Sequence, residues 1–599
     1  MYRRLLFVCV LSLSFLHGFS QTIEQAYRLK FRSEFDFQSE GLTCTIPVTS
    51  EGIQPSRIGF KNKDSFWFTP SKENCSLYWS RTVVLPVNAG KKECSITLNC
   101  KSDVDSLRFV VIALDKKDND LYTDSVIIPP AAPMADYSLK FRKKEVRAVK
   151  IIIRYDGNRE ANEGLFVYLN RITIRVGNQE LNNLPINSLE YGNTRLNPQA
   201  IIPLSLENDA SLSNIQDWKD KKIIALGASI PGIQDILDAQ IQTIKYLITS
   251  ENCKLIFLEL PQEMCLRWNL YLQGKSSKIN EDKLRKEVKT YLNNPTVFFE
   301  FLQWVKRYNV KVPYPVRIVG LMNYGGDDQL VYLTDYLLNF STSRQDSVYY
   351  LNAVNQRKFS DLKEYILQSQ LHETLNKEDF QCILFLLDEW DNRTQRTLKG
   401  MLGRDFDNVL DQTKCVVRTL DIYCEKAIVL APSERINKRF PLCDIKESAS
   451  RITFNRLGSY LYQYYGKQYY AVSFQIGERS CRMDSSQVGR YPTDWNPPFP
   501  FTFEQTALDS KIPYFYCPSN QLPDAIGGLN LFPEFMPFLH PGHPISFCYC
   551  HIPSHFDALI FIKESKAIRD NVIHFFLEWR DYARNNVLNI DELLKKLRE

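Results

Sequence analysis

The chain has 599 residues, of which 44% are hydrophobic, 13% aromatic and 24% charged, with a formal net charge of +5 at pH 7. This balance is that of an ordinary globular protein and excludes a wholly disordered or low-complexity chain. A charge of +5 over this length is no footprint for nucleic acid, and no basic block with interleaved aromatics occurs.

The chain opens with Arg3 and Arg4, an apolar run from Leu5 to Leu16 and small residues around Gly18 and Ser20. That is the pattern of a secretory signal peptide over residues 1–20. The run is shorter than the roughly 20 apolar residues that a membrane-spanning helix needs, and no later segment reaches that length without charges. The expectation is a secreted or periplasmic protein with no integral membrane segment after cleavage. Such a compartment permits disulfides. Cys94 and Cys100, flanking a strand-like run, are the bridge candidates in the N-terminal part, whereas Cys253, Cys382, Cys415 and Cys424 read as buried free thiols at apolar positions.

From about Thr22 to Leu206 the apolar residues follow a period of two, most clearly where Ile172, Ile174 and Val176 alternate with Arg171, Thr173 and Arg175. Similar runs at Thr82 to Val87, Leu107 to Leu114, Ser125 to Ile128 and Val149 to Tyr155 are separated by polar turns such as Asp115 to Asp120. The pattern predicts an antiparallel β-sandwich domain, jelly-roll-like, over residues 21–210. Its aromatics, including Trp67, Phe68, Tyr78 and Trp79, read as core; a sugar-binding face is the alternative.

Beyond about Asn208 short apolar runs alternate with segments of helical period. Strands are expected at Lys222 to Leu226, Lys254 to Leu260, Val316 to Leu321, Lys426 to Ala431, Tyr469 to Phe474, Pro513 to Tyr516 and Asp557 to Ile562. The fold class is therefore α/β, a mainly parallel sheet flanked by helices over residues 215–599. A helical insert is expected over 328–408 and a helical pair from Ile568 to Glu599. The polar run Glu207 to Ser213 marks the boundary, where limited proteolysis should separate the two parts.

In an open α/β sheet, ligands bind beyond the carboxyl ends of the strands. The first such end is Leu226-Gly227-Ala228-Ser229-Ile230-Pro231-Gly232. Ser229 does not have the spacing of a hydrolase elbow, since Gly232 follows three residues later instead of two, and Ser229 or Ile230 reads instead as a helix cap. The second strand ends Leu258-Glu259-Leu260-Pro261. A carboxylate at the rim of an apolar run needs a cationic or hydrogen-bonding partner, so Glu259 is the leading site residue.

Gly227 to Asp235, Leu258 to Pro261, Trp304 to Asn309, Val316 to Leu321, Leu457 to Leu461, Tyr465 to Gly477 and Phe556 to Ile560 fall in an order and spacing that resembles the erythromycin esterase family. The resemblance covers about Trp218 to Lys566. It implies an erythromycin-esterase-like α/β fold and metal-independent opening of a lactone by water, with histidine as general base and glutamates and an arginine assisting. Imidazole suits that task because it titrates near neutrality. Where the family has Gly-Glu-(Ser/Thr)-x-His-Gly, this chain has Ala228 and Pro231 at the glutamate and histidine positions. Where the family has His-Asn-x-His, the run is Pro432-Ser433-Glu434-Arg435. Glu259 matches a family carboxylate, and Asp235 stands where an acidic residue follows the first motif.

Four of the seven histidines cluster as His540, His543, His551 and His555, close to Cys548 and Cys550. Cys548, Cys550, His551 and His555 are the types that zinc takes, but Cys-x-Cys-His-x-x-x-His is not a standard finger spacing, and the segment reads first as an aromatic-rich loop and strand entry. No cofactor is implied. The reading is an exported, catalytically degenerate protein that binds a small molecule, a glycan or an envelope protein, with Ala228, Ser229, Pro231, Pro432 and Arg435 lining the site. The alternatives are a diverged hydrolase of esters or glycans, using Glu259 with Asp235 or the C-terminal histidines, and a structural partner in an envelope complex.

Overall fold

The computed structural model describes residues 45–564 apart from residues 50–56, 63–64, 70–74, 132, 156–164, 185–194, 208, 230–232, 276–280, 292–294, 323–326, 370, 399–405, 440–456, 479–480, 486–488, 494–501, 524–527 and 530–547. The expected signal peptide, Pro231, His540, His543 and the helical pair from Ile568 lie outside the described residues.

The N-terminal part contains strands β1 (Thr45–Thr49), β2 (Arg57–Asn62), β3 (Ser65–Thr69), β4 (Cys75–Val84), β5 (Cys94–Ser102), β6 (Leu107–Leu114), β7 (Asp120–Ile128), β8 (Ala135–Phe141), β9 (Ala148–Tyr155), β10 (Val167–Val176) and β11 (Gln179–Glu180). They form two antiparallel sheets, in the orders β1-β4-β9-β6-β7 and β2-β3-β10-β5-β8, with β11 paired to β10. The period of two has its physical counterpart here, because successive strand side chains point to opposite faces. Cys94, Ile96, Leu98 and Cys100 on β5 are buried, and Val176, Ile174 and Ile172 of β10 lie opposite the first three. Buried residues of both sheets, among them Ile96 and Leu98 of β5 and Val149, Ile151 and Ile153 of β9, belong to one hydrophobic cluster.

That same alternation overturns the expected bridge. Cys94 and Cys100 share one face of one strand, six residues apart, which at about 3.3 Å per residue is about 20 Å. A disulfide needs Cα atoms within about 7 Å. Both are free thiols, as are Cys253, Cys265, Cys382, Cys415, Cys424, Cys517 and Cys550. Cys424 also departs from expectation, because it is exposed. It has φ 54 where the Phe406–Tyr423 helix turns into the next strand, so it leaves the helix's apolar stripe.

The second part is built on β12 (Ile202–Pro203), β13 (Ile223–Ala228), β14 (Cys253–Pro261), β15 (Arg317–Met322), β16 (Lys426–Pro432), β17 (Tyr469–Glu478), β20 (Tyr514–Pro518) and β23 (Ala558–Glu564), in the order β12-β20-β23-β17-β13-β16-β14-β15. Two small ladders, β18 (Cys481–Ser485) with β19 (Gly489–Thr493) and β21 (Gly528–Leu529) with β22 (Cys548–Tyr549), lie outside it. The eight-stranded sheet is mixed. Neighbours from β23 through β15 run parallel, while β20 and β12 add antiparallel pairings at one edge.

Parallel neighbours need crossovers, and helices supply them. Gln234–Thr249 joins β13 to β14; Gln262–Leu272, Glu281–Tyr291 and Pro295–Asn309 lie between β14 and β15. The span expected as a helical insert contains Asp327–Leu338, Arg344–Asn355, Phe359–Gln368, Lys377–Leu398 and the start of Phe406–Tyr423. Ile224 and Leu226 of β13 face one cluster, shared with the Gln234–Thr249 helix, and Ile223 and Ala225 face the other. Burial on both faces is why β13 reads as a continuous apolar run. Among the described residues no helix is long and apolar enough to cross a membrane.

Candidate functional site

The site begins with two glycines that let a four-residue helix, Ser433–Ile436, sit directly on the sheet. A Cβ on Gly227 would lie 2.7 Å from the Ser433 Cα and from a methyl carbon of Ile436, and one on Gly458 would lie 2.2 Å from the backbone of Ile436. Only a residue without a side chain permits either approach. The short helix follows β16, whose Pro432 is level with Ala228 of β13, and Ala228 is level with Phe474 of β17. The ends of β13 and β16 and the middle of β17 therefore lie level with one another beside Ser433–Ile436.

This placement brings Arg435 to the end of β14, where its guanidinium Nη1 donates to Glu259 Oε1. The side chains are 7% and 15% exposed. Alongside, Ser433 Oγ is 2.6 Å from Ser473 Oγ, and Gln475 Nε2 donates to Ser473 Oγ at 2.7 Å. Ser473 and Gln475 are fully buried on β17. Glu263, in the first turn of the helix after β14, is also buried and accepts from Trp390 Nε1 at 2.7 Å. The arrangement is a charged and hydroxyl-rich patch at the carboxyl ends of the strands, with Ala228, Glu259 and Pro432 half-buried at its rim.

Ala228, Glu259, Pro432 and Arg435 are thus brought together. Ser229 is buried beside them; its amide donates to the Phe474 carbonyl at 3.1 Å, and its hydroxyl makes no hydrogen bond among the described residues. It does not cap a helix. The following helix starts at Gln234, with Ile233 at the cap and no side-chain cap bond, so the expected capping role of Ser229 is corrected. Asp235 lies in the first turn of that helix, half-buried, where the helix dipole favours a carboxylate. Sequence reasoning missed Glu263, Ser473 and Gln475. An acid in the first turn after Glu259 was a usable signal for Glu263; two polar residues inside an apolar strand were the signal for the others.

The C-terminal histidines form a second cluster. His551 and His555 are 7% and 1% exposed, the first at the cap and the second at the last position of the Ile552–His555 turn of helix. His551 Nδ1 is 2.6 Å from Ser554 Oγ, which donates to Asp118 Oδ1 at 2.5 Å. Asp118 belongs to the β6–β7 turn of the N-terminal sheets. Arg439 grips the same carboxylate with both terminal nitrogens, at 3.1 and 3.0 Å. Burial, with Arg439 nearby, pushes the His551 imidazole down to about 4 against the pull of Asp118. Burial, again with Arg439, takes His555 to about 3. Asp118 is held below its ordinary value: burial pushes it up, but Arg439, Lys438, His551 and the Ser554 hydroxyl outweigh that. Both rings are therefore neutral at pH 7 and turned into a contact between the two parts of the chain. Among the described residues no group of three or more His, Cys, Asp or Glu is arranged to hold a metal ion. Cys550 is buried.

No protein-family profile matches the chain, and no curated protein matches it. Solved structures do. A structural-genomics protein from Bacillus cereus is 14% identical, with a TM-score of 0.44 over 65% of this chain and 100% of its own. A succinoglycan biosynthesis protein is 12% identical, with a TM-score of 0.46 over 62% of this chain and 95% of its own. The erythromycin esterase EreC, as a mutant in its open conformation, is 14% identical, with a TM-score of 0.41 over 61% of this chain and 96% of its own. An erythromycin esterase is thus among the structural neighbours of this chain.

Proposed function

We propose that this chain is an exported binding protein on an esterase-like α/β scaffold, preceded by a β-sandwich, and that it holds a small molecule or glycan without turning it over. The observation that carries the reading is the Glu259–Arg435 pair. Arginine stays protonated at any working pH, and the Glu259 carboxylate is taken up as acceptor for that fixed cation. The positions next to it that would need imidazole are Pro432 and Arg435, and neither can take up a proton near neutrality. His551 and His555 are bases of low affinity for a proton, and His551 is committed to the Asp118 contact through Ser554. Export rests on the opening apolar run, and ligand binding rests on the half-buried rim of Ala228, Glu259 and Pro432 beside the Ser229 hydroxyl, which makes no hydrogen bond among the described residues.

General-base catalysis supplies about two to four orders of magnitude, which is the part missing here. The purified chain should hydrolyse neither erythromycin nor an activated ester such as p-nitrophenyl acetate above the buffer rate. Calorimetric titration with a macrolide and with a neutral oligosaccharide should show saturable binding to one of them, weakened in Glu259→Gln. Hydrolysis abolished by Glu259→Gln would instead establish the diverged-hydrolase reading. Loss of hydrolysis only in His551→Gln or His555→Gln would move the reaction to the C-terminal histidines.

A further inference from the structure

We propose that the turn between β6 and β7 is a docking plug, in which Asp118 fastens the N-terminal sheets to the eight-stranded sheet and makes the two one cooperative unit. The turn is shaped before it docks. Asp115 accepts from the amides of Lys117 and Asn119 at 2.7 and 2.8 Å and from Asn119 Nδ2 at 3.0 Å. Asp118 takes φ 67, a left-handed conformation that an aspartate tolerates better than most residues. The β6–β7 register shifts at Ala113 and Leu114, next to the turn. Such irregularities re-aim a hairpin.

The receiving side is equally fixed. Arg439 reaches Asp118 with two nitrogens and the Thr82 hydroxyl of β4 at 3.1 Å, so one guanidinium spans two elements of the N-terminal sheets. Its neighbour Lys438 is anchored to Asp557 at 2.8 Å and to the Pro553 carbonyl at 3.0 Å, and its amide donates to the His555 carbonyl at 2.8 Å. Ser554 supplies the remaining donor. The carboxylate is 13% exposed and Arg439 12%, so the pair is largely removed from water. A bidentate, desolvated pair of this kind fixes orientation, and losing one member leaves the other charge stranded. The segment Ser433–Arg439 is then held by Glu259 and Ser473 at one end and by Asp118 at the other, so the plug also braces the candidate site.

The test uses the full chain with Asp118→Ala, Asp118→Asn, Arg439→Ala and the Asp118→Ala/Arg439→Ala double variant. Wild type should melt in one calorimetric transition. Either Asp118 variant should melt in two, or at a clearly lower midpoint, and should be cut by trypsin in 204–221 at least about ten-fold faster. The double variant should be no worse than the worse single one, as two residues acting through one contact require. Asp118→Asn keeps the side chain's shape and serves if the alanine variant does not fold. Wild-type midpoint and cutting rate in Asp118→Asn, or additive losses in the double variant, overturn the proposal.

Discussion

Arg435 and Arg439 sit four residues apart on one segment, and each grips a carboxylate that is 13–15% exposed, yet the two pairs differ in what they join. Arg435 closes a pair within a single sheet, between the ends of β16 and β14. Arg439 closes a pair between two separate sheet systems, with a partner 321 residues away. The same chemistry therefore fills a strand-end site in one case and welds two parts of the chain in the other. The surroundings decide which: the strand-end glutamate lies beside hydroxyls of its own part of the chain, whereas the turn aspartate lies beside Ser554 and His551 of the other part of the chain.

The largest expected effect comes from breaking the first pair alone. Arg435→Met should destabilise the chain by about 3–5 kcal/mol, because Glu259 is left buried without its cation, while adding Glu259→Gln should restore most of the loss. Urea midpoints of the two variants measure this. If the single variant is as stable as wild type, Arg435 is a ligand-facing cation and not a closure of the site.

Acid distinguishes the second pair. Both histidines have folded values well below the ordinary value of about 6.5, so below that pH the unfolded chain takes up protons that the folded chain refuses. Stability should fall as pH drops from about 6.5 toward about 4 for His551 and about 3 for His555. Above about 6.5 neither contributes a slope. The groups facing them are Asp118, Asp115 and Arg439. Asp118, itself held low, gives stability that is present above about 3.9 and lost only as pH falls through its own lower value, so the two effects separate. The His551 share is on the order of 3 kcal/mol, and His551→Gln should flatten the slope by one proton in urea titrations at pH 7 and 4.5.

The smallest effect sharpens the comparison by moving the segment that carries both arginines. Gly227→Ala puts a methyl 2.7 Å from Ser433 and Ile436 and should cost about 1–3 kcal/mol. Thermal melts should show that loss, with weaker binding at the Glu259 rim and the Asp118 contact kept. Equal damage at both ends would mean that the segment moves as a rigid piece.

The strands were legible because a strand buried on both faces must be apolar throughout, as Ile223 to Leu226 and Ile428 to Leu430 are. Glu259 was legible as a carboxylate that needs a partner, and family spacing pointed to Arg435. What spacing cannot carry is a partner recruited across the fold. Asp118 sits in a turn of lysines and aspartates that reads as solvent-facing, and nothing local announces that Arg439 waits 321 residues on. Ser473 and Gln475 stood out as polar residues in an apolar strand, but their partners did not: Gln475 bonds Ser473, which in turn meets Ser433 on another element. Cys94 and Cys100 misled because spacing along the chain was not converted into distance along a strand.

Of the nine cysteines whose side chains are described, eight are buried, and burial pushes thiols up, to about 11 at Cys94 and about 12 at Cys100, Cys253, Cys382 and Cys517. At neutral pH such thiols carry almost no thiolate, the nucleophile that attacks disulfides and reacts with oxidants. Once these side chains are buried they are chemically closed, whatever the redox poise outside. The unfolded chain has the opposite character, offering ordinary thiols of about 8.5 at every one of these positions. Oxidation then competes with folding, and a bridge such as Cys94 to Cys100 would forbid β5. Under the export proposed above, the chain would keep this fold only if burial of its thiols outran their pairing.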